Sequence, residues 1–252
     1  MRRHWAAGIA AWILTAAQGA VAQSLTVALA ATPTAVDPHF HNLVPNNAIA
    51  AHVFDRLVHQ DERQGLVPGL AESWRAVSDT QWEFRLRAGA AFHDGSPVEA
   101  EDVAASLRRV PAVPNSPGPF TQFVRGIASV EVVDARTLRL TTRGPQPLLP
   151  TDLSVVNIIP RRFEAAATAE FRTGAAMIGS GPFRFESFTP GDRVVLTRND
   201  AYWGGAPRWA RVTLRIVPND SARVAGLLAG DVDAIEAAPI SQLDALRRRP
   251  DM

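Results

Sequence analysis

Residues Gly65–Arg109 read GLVPGLAESWRAVSDTQWEFRLRAGAAFHDGSPVEAEDVAASLRR, and their spacing predicts strand, turn, strand, tight turn and helix. From Gln81 to Arg87 the apolar Trp82, Phe84 and Leu86 alternate with Gln81, Glu83, Arg85 and Arg87, the period of a strand with one buried face. Ser78-Asp79-Thr80 is the turn that feeds it, and Asp94-Gly95 breaks the chain again. Pro97 then opens a helix with Glu99, Glu101 and Asp102 in its first turn and Arg108 and Arg109 in its last, matching the helix dipole at both ends. Val103, Leu107 and Val110 form its buried stripe.

Working outward, Ser24–Ala30 alternates as a first strand and runs into a Pro-punctuated loop containing Asp37-Pro38-His39-Phe40-His41-Asn42. Asn46 or Asn47 is expected to cap a helix with Ile49, Ala50, Val53, Phe54, Leu57 and Val58 on one face. Val130–Thr141 reads as a second hairpin turning at Asp134-Ala135, Leu148–Leu153 as a short helix and Val155–Ile159 as a strand. After Gly179-Ser180-Gly181-Pro182-Phe183 come a strand, the Pro190-Gly191-Asp192 turn and the strand Arg193–Arg198. Val212–Val217, a helix Ser221–Ala229 closed by Gly230, and Val232–Glu236 make a βαβ unit with parallel strands.

Several of these segments together resemble the extracellular solute-binding proteins of family 5, the peptide, nickel and glutathione type of binding protein that serves ABC importers. The likeness rests on Ala71-Glu72-Ser73-Trp74, Phe84-Arg85-Leu86-Arg87, Phe92-His93-Asp94-Gly95 and Ala100-Glu101-Asp102-Val103 with Ser106-Leu107. It continues through Gly179-Ser180-Gly181-Pro182-Phe183 and Asn199-Asp200-Ala201-Tyr202-Trp203. Glu99 departs from the Thr-like cap of the family pattern, but a carboxylate at a helix start does a related job. The resemblance implies an α/β fold like a type II periplasmic binding protein, a mixed sheet with flanking helices and β-hairpins. Residues 23–252 would form most of lobe one, with the second lobe missing. It implies capture of oligopeptides or peptide-like solutes without catalysis or a cofactor. The partners would be that ligand and an inner-membrane ABC permease, and the full-length protein would be a monomer. In the family the loop after the first strand borders the ligand cleft, so His39, Phe40, His41, Asn42 and Ser180 are the expected ligand contacts, together on one edge of the lobe.

Composition agrees with such a role. The 252 residues are 46% hydrophobic and 20% charged, as in a soluble globular protein, and the net charge of +1 gives no basis for a nucleic-acid partner. Arg2-Arg3, an apolar run from Trp5 to Ala17 and Ala20-Val21-Ala22 have the three-part layout of a secretory leader cleaved before Gln23, which predicts a periplasmic product. The apolar run is well short of the roughly 20 residues that a spanning helix needs. Without cysteine there is neither a lipidation site nor a disulfide framework.

Other chemistries find less support. His39 and His41 lack companions at metal-site spacing and read as loop lining. Gly179-Ser180-Gly181 is neither a Gly-x-Ser-x-Gly elbow nor, in a chain without lysine, a Walker loop. A hydrolase would have to assemble Asp, His and Ser from distant loops. A ligand sensor that passes occupancy to a membrane partner would share every feature of a transport protein. Trp74, Trp82, Phe84, Tyr202 and Trp203 read as packing residues rather than ligand platforms.

Overall fold

The computed structural model describes residues 23–248; the expected leader and its cleavage site lie outside them. The chain runs β1 (Ser24–Leu29), α1 (Val44–Val53), β2 (Val58–Gln60), β3 (Leu66–Pro68), β4 (Ala71–Ser78), β5 (Gln81–Leu86), α2 (Ala100–Arg109), α3 (Thr121–Val124) and β6 (Ile127–Asp134). It continues with β7 (Thr137–Thr142), α4 (Leu149–Leu153), α5 (Thr168–Arg172), β8 (Phe183–Thr189), β9 (Arg193–Arg198), β10 (Arg211–Ile216), α6 (Asp220–Ala229), β11 (Ala234–Ile235) and α7 (Ile240–Arg247).

Two sheets carry the structure. An antiparallel sheet of order β4-β5-β7-β6 is built from the two hairpins read in the sequence. Phe84 lies between Trp74 on β4 and Leu138 on β7, and the alternation of β5 sends Phe84 and Leu86 into a core with Leu138, Leu140, Val103 and Leu107. Trp82 packs against the same core half-buried, its indole N–H donating to the carbonyl of Gln146 at 3.1 Å. Glu83 faces the other way and bridges Arg75 and Arg139.

The second sheet has the order β11-β1-β10-β9-β8. Its β10 and β11 are both parallel to β1, which lies between them, whereas β9 runs antiparallel to β10 and β8. Leu29, Val194, Leu196, Val212 and Leu214 of this sheet pack with Ile49, Val53, Phe54 and Phe171 into a second core.

Four expectations need correction. The helix expected from Asn46 or Asn47 starts at Val44, with Pro45 in its first turn, and ends at Val53. Phe54 is extended, and Leu57 and Val58 belong to the connection and to β2. Pro97 does not open α2 but bridges Ala91; the helix starts at Ala100, where the Asp102 carboxylate accepts the Glu99 N–H at 2.8 Å. Val155–Ile159 is no strand, because other partners take its backbone groups: Ile158 donates to the Asp55 carbonyl and Ile159 to the Ser106 hydroxyl. Only Asn157 makes an isolated bridge, to Arg56. The last strand of the βαβ unit shrinks to Ala234–Ile235.

Candidate ligand-binding site

Parallel strands bring their C-terminal ends to one edge, and in α/β sheets ligands bind where those ends emerge. Leu29 and Ile216 are in register, and Ile235 pairs with Ala28, so the segments after β1, β10 and β11 leave from the same edge. They are tied together there. Val217 donates to the Leu29 carbonyl at 3.0 Å, Glu236 to Ala28 at 2.8 Å, and the Glu236 carboxylate accepts the Ala30 N–H at 2.8 Å. The buried Arg223 of α6 holds the second and third segments, donating to the carbonyls of Val217, Pro218, Glu236 and Ala237 and to the Asp220 carboxylate. Ala237 sits at φ 50°, a left-handed conformation that a residue with a Cβ adopts only when neighbours hold it.

The loop after β1 is fixed from behind. Asp37 is buried and accepts both terminal nitrogens of Arg109, at 2.8 and 2.7 Å, the hydroxyl of Thr168 at 2.8 Å and the His39 backbone N–H at 3.0 Å. Burial alone would raise the Asp37 pKa, but hydrogen bonds and charge from Arg109 outweigh it and hold the carboxyl below its ordinary value. Arg109 also donates to His39 Nδ1 at 3.1 Å, which assigns the ring proton to Nε2, where it is given to the Asn157 carbonyl at 2.7 Å. Burial first, and the Arg109 charge second, lower the His39 pKa to about 4, so the ring is neutral at physiological pH. Further along, Thr34 exchanges hydrogen bonds with Asn46 and contacts His41 Nδ1 at 2.9 Å, while Asn47 donates to the Asn42 side chain at 2.7 Å.

A separate staple holds Gly179–Pro182. His93 Nε2 donates to the Gly181 carbonyl at 3.0 Å, its Nδ1 accepts the Gly179 N–H at 3.3 Å, and its backbone N–H donates to the Gly179 carbonyl. Asn199 adds a donor to Gly181. Gly179 lies so close to α1 that a Cβ there would stand 1.9 Å from the Val53 carbonyl oxygen. Gly179→Ala should therefore cost about 1–3 kcal/mol or more through overpacking against backbone. A denaturant midpoint equal to that of the parent protein would contradict this contact.

The expected contacts thus separate. Phe40, His41 and Asn42 are partly exposed at the start of α1, and His39 is sealed beneath them. Ser180 is fully buried, its hydroxyl without a partner among the described residues, beside Gly179 and Gly181 at the other end of α1. Ten residues of helix put about 15 Å between these places. The shared site of His39, His41, Asn42 and Ser180 is not formed: β8 begins level with the start of β10, so its leading turn lies at the opposite edge from the loop after β1. Nor is there a hydrolytic triad around His39, whose ring nitrogens face Arg109 and a carbonyl. Among the described residues no group of three His, Asp or Glu side chains is placed to hold a metal ion.

The two neutral histidines set a pH dependence. Burial leads in lowering His93 to about 4 as well. Between pH 6.5 and 4 the unfolded chain binds protons that the folded chain refuses, so stability is complete above 6.5 and is lost as the pH falls to about 4. The share from His93 is about 3 kcal/mol. Urea midpoints at pH 7.5, 5.5 and 4.5 should fall in that order, and a flat profile would contradict the buried neutral rings.

Comparison with known proteins agrees with this architecture. The profile of the bacterial extracellular solute-binding proteins, family 5 (middle), matches residues 65–252. The chain belongs to that family. Among family 5 relatives, the probable D,D-dipeptide-binding periplasmic protein DdpA of Escherichia coli strain K12 is 32% identical, over 89% of this chain and 45% of its own. The transcriptional regulator SgrR of Salmonella typhi is also 32% identical, over 81% of this chain and 37% of its own. The solved Escherichia coli murein tripeptide-binding protein MppA superposes with a TM-score of 0.81 at 26% identity, over 92% of this chain and 49% of that one. The chain spans about half the length of these relatives or less, and its fold is one lobe of a type II periplasmic binding protein. No helix among its described residues is long and apolar enough to cross a membrane.

Sequence reasoning missed Arg109, Arg223 and Asp55 as anchors. Buried Asp55 accepts the Trp203 indole N–H at 2.7 Å and the Tyr202 hydroxyl at 3.2 Å, and Arg87 stacks 3.6 Å from the Trp203 ring. Burial and the Asp55 charge raise the Tyr202 pKa, and the Tyr202 ring packs on Trp203, which in turn packs against the first core. A visible signal existed for Arg223, a lone charge beside Val224 in the apolar run of α6.

Proposed function

We propose that this chain is the first lobe of a periplasmic solute-binding component of an ABC importer, and that it receives peptide-like small solutes at the edge where β1, β10 and β11 end. The observation that carries the reading is the convergence of three strand-end segments, each immobilised by buried polar groups, at one edge of the sheet. Preorganised segments of this kind lower the ordering cost of binding. Phe40, His41 and Asn42 are the ligand contacts from the first segment, with Asp37, His39 and Arg109 holding them in place. Ser180 plays its part in the turn behind α1. A second lobe covers the ligand from the other side, and an inner-membrane permease takes it up. The peptide ligands named for DdpA and MppA support the substrate class.

Sensing without transport is the second reading, favoured by the 32% identity with SgrR, named as a transcriptional regulator. Saturation-transfer NMR with mixed di- and tripeptides against a panel of sugars tests the ligand class. Peptide signals that fade in His41→Ala and Asn42→Ala are expected. Sugar signals equal to the peptide signals, or no peptide signal, would contradict it.

A further inference from the structure

A groove of about 460 Å³ lies between the end of α2, the turn after it, α3 and the start of β6. None of its lining residues belongs to the five-stranded sheet or to the segments that follow β1, β10 and β11, so it is separate from the strand-end edge. Leu107, Pro111, Val124, Ile127 and Val130 make it largely apolar. Along it runs an open strand edge: β6 is the last strand of its sheet, β7 pairs with one side, and no strand among the described residues pairs with the other. Such an edge offers unpaired backbone donors and acceptors to an extended chain.

Charge gives the groove a direction. Arg125 precedes β6 and Arg143 follows β7, and the Arg143 N–H donates to the Gly126 carbonyl at 2.9 Å, so both stand where β6 begins. Arg108 is neutralised by Glu101 and Glu164, but Arg125 and Arg143 form no ion pair among the described residues. A strand added antiparallel to β6 ends its chain beside those two guanidinium groups, whereas a parallel strand would bring its N-terminal ammonium there. Ile127–Val130 offers up to about 13 Å of edge, the length of a tetrapeptide, with a register irregularity against β7 between Ile127 and Ser129.

We propose that this groove binds the last residues of an extended polypeptide by antiparallel addition to β6, with the C-terminal carboxylate held by Arg125 and Arg143. The volume falls within the ordinary range for specific pockets. The apolar lining suits alternate β-branched side chains, and a carboxylate paired with arginine is the strong, directional contact that fixes register.

Fluorescence anisotropy with a fluorescein-labelled tetrapeptide of alternating threonine and valine tests it, as the free acid and as the C-terminal amide. The acid is expected to bind roughly 10- to 100-fold more tightly than the amide, the range for losing a charge-assisted hydrogen bond. Arg125→Glu with Arg143→Glu should remove that difference, and Arg143→Lys should keep part of it. Both arginines are surface residues, so the variants should melt with the parent protein. NMR shifts on adding the acid should fall on Ile127–Val130. Equal affinity for acid and amide, shifts at Ala30–Asn42 instead, or a dimer in sedimentation that excludes the peptide would each overturn the proposal.

Discussion

Arg109→Ala is expected to destabilise the protein by about 3–5 kcal/mol, the effect of leaving one partner of a buried ion pair uncompensated. The Asp37 carboxylate would then keep only Thr168 and one backbone N–H inside a site closed to water. His39 would lose the donor that sets its tautomer, and Ala166 the N–H that its carbonyl accepts at 3.0 Å. Arg109→Met combined with Asp37→Leu should recover part of the loss, because removing both charges removes the desolvation penalty along with the attraction. Denaturant melts of the two single variants and the double variant give the coupling. Additive losses in the double variant would show that the pair is not a unit.

Phe84→Ala should cost a similar 3–5 kcal/mol, for a different reason. The ring is fully buried, with Trp74 of β4 on one side and Leu138 of β7 on the other, and truncation leaves a cavity beside a strand that is paired on both sides and cannot collapse inward. Arg85→Ala, one residue along on the exposed face and paired only with the partly exposed Glu72, should stay within about 0.5 kcal/mol. Equal effects at the two positions would mean that β5 does not bury the face its alternation shows.

The contrast between these two sites explains what could be read in the sequence. The β5 hairpin was legible because a two-residue period maps directly onto the two faces of a sheet, and Phe84 and Leu86 need no other information to be placed. In α2 the apolar stripe of Val103, Leu107 and Val110 was legible for the same reason. Its neighbouring stripe, Asp102, Ser106 and Arg109, is equally buried yet reads as an ordinary solvent face. Its partners are the Arg161 N–H, the Ile159 N–H and Asp37, from segments 53 to 72 residues away, and no local pattern announces them.

Site reading failed where burial reversed the meaning of a residue type. His39 and Ser180, expected as ligand contacts, belong to polar, glycine- and proline-punctuated stretches of the kind that line clefts, as does His93, for which no site role was expected, and all three side chains lie inside the protein. Two of the three hold turns through backbone carbonyls. Placing Ser180 with Asn42 also required the direction of the strands. Because β8 runs in the same direction as β10 and β1, the edge where β8 begins is opposite to the edge where the loop after β1 emerges. Loop composition identifies a turn; strand direction decides which edge it occupies.

The claim that this chain is one half of a clamp whose ligand meets the strand-end edge is open to a direct measurement. Two-lobed pockets bury about 70–90% of a ligand, and one lobe can supply about half of that contact. If a complete clamp binds at about 1 μM, near −8 kcal/mol, half of the favourable contacts leave about −4 kcal/mol, or millimolar affinity. Amide shift mapping of residues 23–252 titrated with a mixture of dipeptides, too short to fill the β6 edge, measures both affinity and place. The account predicts millimolar dissociation constants and shifts confined to Pro33–Asn42, Val217–Asp220 and Glu236–Pro239. Sub-micromolar binding by this chain alone, or shifts centred on Gly179–Pro182, would contradict it.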